Sequence, residues 1–274
     1  MTNTRKLYAA LLILLSVILL MPVSGCKKDK DEVVPARETT YKLKGQDVLG
    51  VTGTATFIET SNTSSTITLK LYGAPSGTHP AALCMNTVVE GGNTVVELNP
   101  VDASGSSSTN VNSLTYNQLI EYDGFIKVVK SSNEPDVILA QGDIGGNVVT
   151  DINVSYTLDT VGSFDVSGSA LFEKRKNGNT LVTLNISGTI AGEEYPASIN
   201  LGSVESIGGG PVTKTLSSVN GTTGKSYTNI RKLDSGLNIT YDNWLVYDGY
   251  INIYQISVEY DNIICQGNIG SNVD

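Results

Sequence analysis

Val51-Thr52-Gly53-Thr54-Ala55-Thr56-Phe57 and Val166-Ser167-Gly168-Ser169-Ala170-Leu171-Phe172 are one pattern written twice in a chain of 274 residues. Working outward, Tyr41-Lys42-Leu43 recurs as Tyr156-Thr157-Leu158, and Thr66-Ile67-Thr68-Leu69 as Leu181-Val182-Thr183-Leu184. Pro80-Ala81 then matches Pro196-Ala197, and Thr109-Asn110 matches Thr228-Asn229. Tyr122-Asp123-Gly124-Phe125-Ile126 matches Tyr247-Asp248-Gly249-Tyr250-Ile251. Ile138-Leu139-Ala140-Gln141-Gly142-Asp143-Ile144-Gly145 closes the first copy as Ile263-Ile264-Cys265-Gln266-Gly267-Asn268-Ile269-Gly270 closes the second. The matches keep their order and the offset grows only through small insertions, as a duplicated domain requires. Each copy is long enough to bury a core of its own. The division expected is 41–147 for the first repeat, 148–155 for a linker and 156–274 for the second repeat.

Within a copy, apolar residues alternate in short runs. Thr54-Ala55-Thr56-Phe57-Ile58, Thr66-Ile67-Thr68-Leu69-Lys70-Leu71-Tyr72 and Thr94-Val95-Val96-Glu97-Leu98 all have the period of half-buried strands. Clusters such as Gly73-Ala74-Pro75-Ser76-Gly77 and Ala103-Ser104-Gly105-Ser106 punctuate them as turns. One segment breaks the pattern: Thr115 to Tyr122 suits a short helix capped by Thr115, with Gly124 expected to adopt positive φ at its exit. Thr240 to Tyr247, followed by Gly249, is its counterpart. About seven short strands and one short helix per copy predict an all-β chain of two tandem antiparallel β-sandwich domains.

Composition excludes more than it proposes. Turn formers and β-branched residues dominate, and the chain has one histidine and three cysteines. A single imidazole cannot supply a site with several histidine ligands or a relay of two histidines. With 27 acidic against 18 basic groups the net charge is −9, and no basic patch is visible for nucleic acid.

The first 25 residues read as an address. Arg5 and Lys6 precede the apolar run Leu7 to Met21, and Val23-Ser24-Gly25 leads into Cys26. That run is too short and wrongly flanked for a comfortable transmembrane helix. Val-Ser-Gly-Cys is similar to a bacterial lipobox, which implies removal of 1–25 and lipidation of Cys26. Arg5 and Lys6 are the only charges removed, so the remainder moves from −9 to −11. Residues 26–40, opening with Lys27-Lys28-Asp29-Lys30-Asp31-Glu32, read as a solvated tether. A charged run directly after the lipidated cysteine is similar to surface-export signals of Bacteroidetes lipoproteins. The expected location is the cell envelope, anchored to the outer membrane, with the side it faces left open.

The repeated segments together resemble the CHRD domain of chordin and of many bacterial secreted proteins, a β-sandwich similar to Cu/Zn superoxide dismutase. The resemblance covers about 41–147 and 156–272. In bacterial relatives Pro-Ala is followed by His-X-His, and a further histidine follows the Asp-Gly segment. Residues two apart on a strand share a face, so such a pair can share a metal. Here those positions are Ala82, Cys84 and Val129 in the first copy and Ser198, Asn200 and Tyr254 in the second. Every imidazole the resemblance implies is replaced, so no metal or other cofactor is expected.

The remaining candidates have plain structural readings. His79 before Pro80 reads as a surface or hydrogen-bonding residue, on the opposite strand face from Cys84. Cys84 and Cys265 lie in different copies, so a disulfide between them would staple the domains; Cys265 reads as a small buried residue. Gly224-Lys225-Ser226 reads as a β-turn, because a phosphate-binding loop needs glycine where Val219 stands. Asp123 and Asp248, each before a glycine, read as Asx-type turn residues, and Trp244 as core. The function expected is non-enzymatic binding of an unidentified protein or glycan, or structural display. The alternatives are a carbohydrate-binding surface module, which predicts a row of exposed aromatics, and a degenerate enzyme working through carboxylates, which predicts a pocket gathering acids.

Overall fold

The computed structural model describes residues 36–255 and 262–273. Among them the first repeat comprises β1 (Glu38–Gly45), β2 (Thr52–Ser61), β3 (Ser64–Tyr72), β4 (His79–Met85), β5 (Thr94–Val101), β6 (Ser106–Val111), α1 (Tyr116–Glu121), β7 (Gly124–Ser131) and β8 (Glu134–Ile144). A 3-10 turn over Gly145–Asn147 leads directly into the second repeat. That repeat comprises β9 (Val149–Thr160), β10 (Ser167–Arg175), β11 (Thr180–Ser187), β12 (Glu194–Leu201), β13 (Val212–Asn220), β14 (Lys225–Ile230), α2 (Tyr241–Trp244), β15 (Asp248–Tyr254) and β16 (Ile263–Gly270). The chain is all-β, with eight strands per repeat and two short helices among the described residues. The signal (1–25), Cys26 and the tether up to Pro35 lie outside the described residues, as does Asp274.

Strand order is the same in both repeats. The first sheet runs β5-β4-β7-β8-β1-β2-β3-β6, and the second runs β13-β12-β15-β16-β9-β10-β11-β14. All pairs within them are antiparallel. Each sheet rolls up on its own core, giving a barrel-like sandwich. The two edges that meet are β5 and β6 in one repeat and β13 and β14 in the other. In the second repeat a single residue pair, Asn220 with Lys225, closes the barrel. Along both seams a threonine hydroxyl replaces the ladder: Asn99 N–H donates to Thr109 Oγ1 at 2.7 Å, and Ser217 N–H donates to Thr228 Oγ1 at 2.9 Å.

Alternation sends the expected residues inward. Ala55 and Phe57 on β2 and Ile67 and Leu69 on β3 are fully buried, as are Ala170, Phe172, Val182 and Leu184 in the other copy. Burying each large aliphatic side chain is worth roughly 1.5–3 kcal/mol. Tyr41 packs edge-on to Phe57 at 5.1 Å, and Tyr156 repeats that contact with Phe172 at 5.3 Å. Trp244, core as expected, extends the second cluster by packing against Phe172 at 5.9 Å.

The helices form where capping predicts. Thr115 Oγ1 accepts from Gln118 N–H while Gln118 Oε1 accepts from Thr115 N–H, a reciprocal capping box. Thr240 N–H donates to Asn243 Oδ1 in the second copy. The reading of Gly124 needs correction, because neither Gly124 nor Gly249 has positive φ. A Cβ on Gly124 would stand 2.6 Å from Cys84 O and 2.6 Å from the Tyr122 ring; on Gly249 it would stand 2.6 Å from the Tyr247 ring. The Tyr-Asp-Gly motif therefore lays a tyrosine ring over a glycine two residues on, and crowding dictates the glycine.

Two boundaries also shift. Val149–Asn153 belong to β9, where Val149 pairs with Arg175 and Asn153 with Glu173, so of the expected linker 148–155 only Val148, at the end of the 3-10 turn, lies outside a strand. Glu38–Thr40, expected in the tether, open β1 opposite Ile58–Thr56. Both strands run N-terminal to the repeated tyrosine, beyond the reach of the sequence match.

The repeats meet through the β10–β11 hairpin. Arg175 Nη1 donates to Asp143 Oδ2 at 2.7 Å and to the carbonyl of Asn147. Lys176 N–H donates to Val148 O and Asn177 N–H to Gly146 O, each at 2.9 Å. Asn177 Nδ2 donates to Asp123 Oδ1 at 3.0 Å and to Asn147 Oδ1 at 3.2 Å. Asn229 Nδ2 reaches Glu90 Oε2 at 3.1 Å.

Candidate functional site

Pro80-Ala81 and Pro196-Ala197 place the six positions singled out by sequence on β4, β7, β12 and β15. On these strands alternate residues face the core, and the six lie on the other face. In the first repeat the positions themselves are apolar: Ala82 and Cys84 cluster with Phe125, and Val88 packs over them. Val129, 8% exposed, is buried on the same strand as Phe125 but lies outside this cluster. Burial pushes the Cys84 thiol up, against a smaller opposing pull from Lys127.

In the second repeat the structure brings all three positions together. Ser198 Oγ lies 2.9 Å from Tyr254 Oη, and Asn200 Nδ2 donates to Ser198 Oγ at 3.1 Å. Asn252 Nδ2 adds a bond to Tyr254 Oη at 3.3 Å. All four residues are buried, and Asn252 Oδ1 finds no partner among the described residues. Sequence reasoning missed Asn252. The signal was available, because residues 252 and 254 are two apart on a strand and must share a face. Amides and hydroxyls that bond one another form a polar plug in the sheet face.

The single histidine is structural. His79 is buried, with Nδ1 2.7 Å from Lys130 O and Nε2 3.0 Å from Pro75 O. Tyr195 does the corresponding work, its hydroxyl accepting from Ile190 N–H at 2.9 Å. The strand does carry a register shift between His79 and Ala81, yet His79 bonds only backbone carbonyls and Cys84 sits in the apolar cluster.

Cys84 and Cys265 are both free and buried. Burial, with a further contribution from Asp159, pushes the Cys265 thiol up to about 12. Gly224 bends the β13–β14 turn at φ +67, with Ser226 already inside β14. Asp123 and Asp248 are structural but not through local turn bonding. Asp123 accepts from Asn177 of the next repeat, and Asp248 Oδ1 accepts from Asn272 at 2.9 Å. Asp143 and Asn268 share a role: each carboxylate or amide oxygen accepts a loop N–H, from Val88 at 2.7 Å and from Val204 at 2.9 Å.

An open polar groove of about 450 Å³ lies on the second repeat, which the sequence did not announce. Asp159 and Thr160 of β9, Gln266 and Asn268 of β16, Glu205 of the β12–β13 loop and Asn272 line it. It opens because β9 and β16 pair only at Asp159–Gln266 and Thr160–Cys265 and then diverge. The aromatics do not form a row beside it: Trp244 is buried, and the exposed tyrosines Tyr72 and Tyr227 belong to different repeats. No group of three or more His, Cys, Asp or Glu side chains that could hold a metal occurs among the described residues. No described helix is long and apolar enough to cross a membrane. No family model, no curated protein and no solved structure matches this sequence.

Proposed function

We propose that the chain is a non-enzymatic envelope protein, lipid-anchored through Cys26 to the outer membrane, whose two CHRD-like repeats serve binding or structural display. The observation that carries this reading is the use made of the six positions where the resembled domain keeps metal ligands. Ala82 and Cys84 pack with Phe125, while Ser198, Asn200 and Tyr254 bond to one another. Each set consolidates the sheet rather than presenting donors outward. The anchor rests on the basic start, the apolar run and the small residues ahead of Cys26.

A second reading, a carbohydrate ligand in the open groove, is favoured by its lining of Asp159, Gln266, Asn268 and Asn272 beside Tyr156. Glycan arrays and pull-downs with residues 38–274 separate the two. The display reading expects capture of a specific protein and no specific glycan. A glycan signal abolished by Gln266→Ala would replace it with the second. Elemental analysis adds an independent check, since stoichiometric copper or zinc would overturn the non-metal reading of both repeats.

A further inference from the structure

The groove on the second repeat is built from counterparts of residues that, in the first repeat, already receive a hairpin. Asn268, Asn272, Val273 and Val204 line it. By the internal match they correspond to Asp143, Asn147, Val148 and Val88. In the first repeat three of those four bond the β10–β11 hairpin: Asp143 takes Arg175, Asn147 takes Arg175 and Asn177, and Val148 O takes Lys176 N–H. We infer that the groove seats the β2–β3 hairpin of a second copy of this chain, so that copies associate head to tail along the axis on which the two repeats already follow one another. This goes beyond the display reading and does not depend on where the protein resides.

The occupant follows from the same correspondence. Residues Thr60-Ser61-Asn62 of the β2–β3 hairpin stand where Arg175-Lys176-Asn177 stand in β10–β11. Asn62 is exposed, and it retains the amide that in Asn177 donates to Asp123 and Asn147; the second repeat offers Asp248 and Asn272 in their places. Charge is matched as well. Arg175 becomes Thr60 and its partner Asp143 becomes Asn268, so the cation and the anion disappear together. A buried charge facing a neutral partner would oppose docking, whereas two neutral groups do not.

Apolar surface is also left open at that end. Val273 is 49% exposed, while its counterpart Val148 packs against the first core. Ile207 on the adjoining loop is fully exposed. One substitution weakens the second seat. Ser271 replaces Gly146, and a Cβ at Gly146 would stand 2.9 Å from the Asn177 Cβ. The contact between copies is accordingly looser than the internal seam and reversible.

Photo-cross-linking tests this on the full chain in mild detergent. With p-benzoylphenylalanine in place of Thr63, exposed beside the docking Asn62, irradiation is expected to give a ladder of dimers and higher species. Mass spectrometry should map the adducts to peptides containing Val204 or Asn268–Val273. The same label in place of Tyr72 should give none of these adducts. Thr60→Arg alone is expected to lower the yield at least about tenfold, and adding Asn268→Asp should restore it, because the pair recreates the internal ion pair. Circular dichroism on each variant separates lost docking from lost folding. No adducts from the label at position 63, adducts mapping elsewhere, or a Thr60→Arg loss that Asn268→Asp fails to restore would each overturn the assignment.

Discussion

Arg175 is fully buried with one carboxylate partner, and its Nε and Nη2 have no hydrogen-bond partner among the described residues. Removing a guanidinium from water is expensive, and Asp143 with the Asn147 carbonyl returns only part of that. Asp143→Asn keeps an oxygen for the Val88 N–H, as Asn268 does for Val204, but removes the charge and turns the Oδ2 that accepts from Arg175 into an amide donor. It is expected to destabilise the chain by about 3–5 kcal/mol, read by urea denaturation. Replacing the whole pair, Arg175→Met with Asp143→Asn, should recover most of that loss, and Asp143→Asn should cost little when added to Arg175→Met. A full Asp143→Asn loss in the Arg175→Met background would show that the carboxylate works through something other than the arginine.

Cys265 yields a second expectation at this scale. Its thiol is held up to about 12 by burial, against about 8.5 in an unfolded chain. A raised folded value means the contribution is whole below about pH 8.5 and is lost as pH rises from there towards 12. Cys265→Ala should therefore flatten the alkaline decline in melting temperature. Thiol titration of a chain beginning at Lys27 should find no reactive thiol when folded and two after denaturation. A count of zero in denaturant would mean a disulfide.

At the scale of the element, the Tyr-Asp-Gly segment shows how a local motif encodes a distant contact. The ring of Tyr122 covers Gly124, and the Cys84 carbonyl approaches from the neighbouring strand. Gly124→Ala is expected to destabilise by roughly 1–3 kcal/mol in thermal denaturation, with Gly249→Ala alike, because the Cβ meets backbone and ring. A loss below a few tenths would mean the strand relaxes freely. The sequence revealed this motif and its recurrence but misread its reason, since φ depends on what surrounds the glycine. The strands and helix caps were readable because alternation and capping are local. The polar plug was readable only in part: Ser198, Asn200 and Tyr254 were singled out by the family resemblance, whereas Asn252 has Lys127 as its counterpart and drew no attention.

Across the whole molecule, the seam decides how the two repeats behave. Arg175, Lys176 and Asn177 contact Asp143, Asn147, Val148, Gly146 and Asp123 with no linker between the repeats. Calorimetry of the intact chain is expected to give one cooperative transition. Asn177→Ala combined with Asp143→Asn is expected to split it into two, because the backbone bonds of Lys176 and Asn177 and the Asn229–Glu90 contact are then left to couple cores that are otherwise separate. Two transitions in the unmodified chain would show that the seam does not couple the repeats.

The sequence by itself determined the all-β class, the duplication, the alternation that fills each core and the absence of histidine from the six matched positions. These are properties of composition and short-range periodicity, written within a few residues of where they act. Only the tertiary structure decided the strand order, the near-closed barrels, the replacement of an expected linker by a strand, and the pairing of Arg175 with Asp143. The same holds for the groove that repeats the seat of that hairpin. Each of these joins residues far apart in the chain, and such pairings follow from how sheets roll and pack, which no local pattern records.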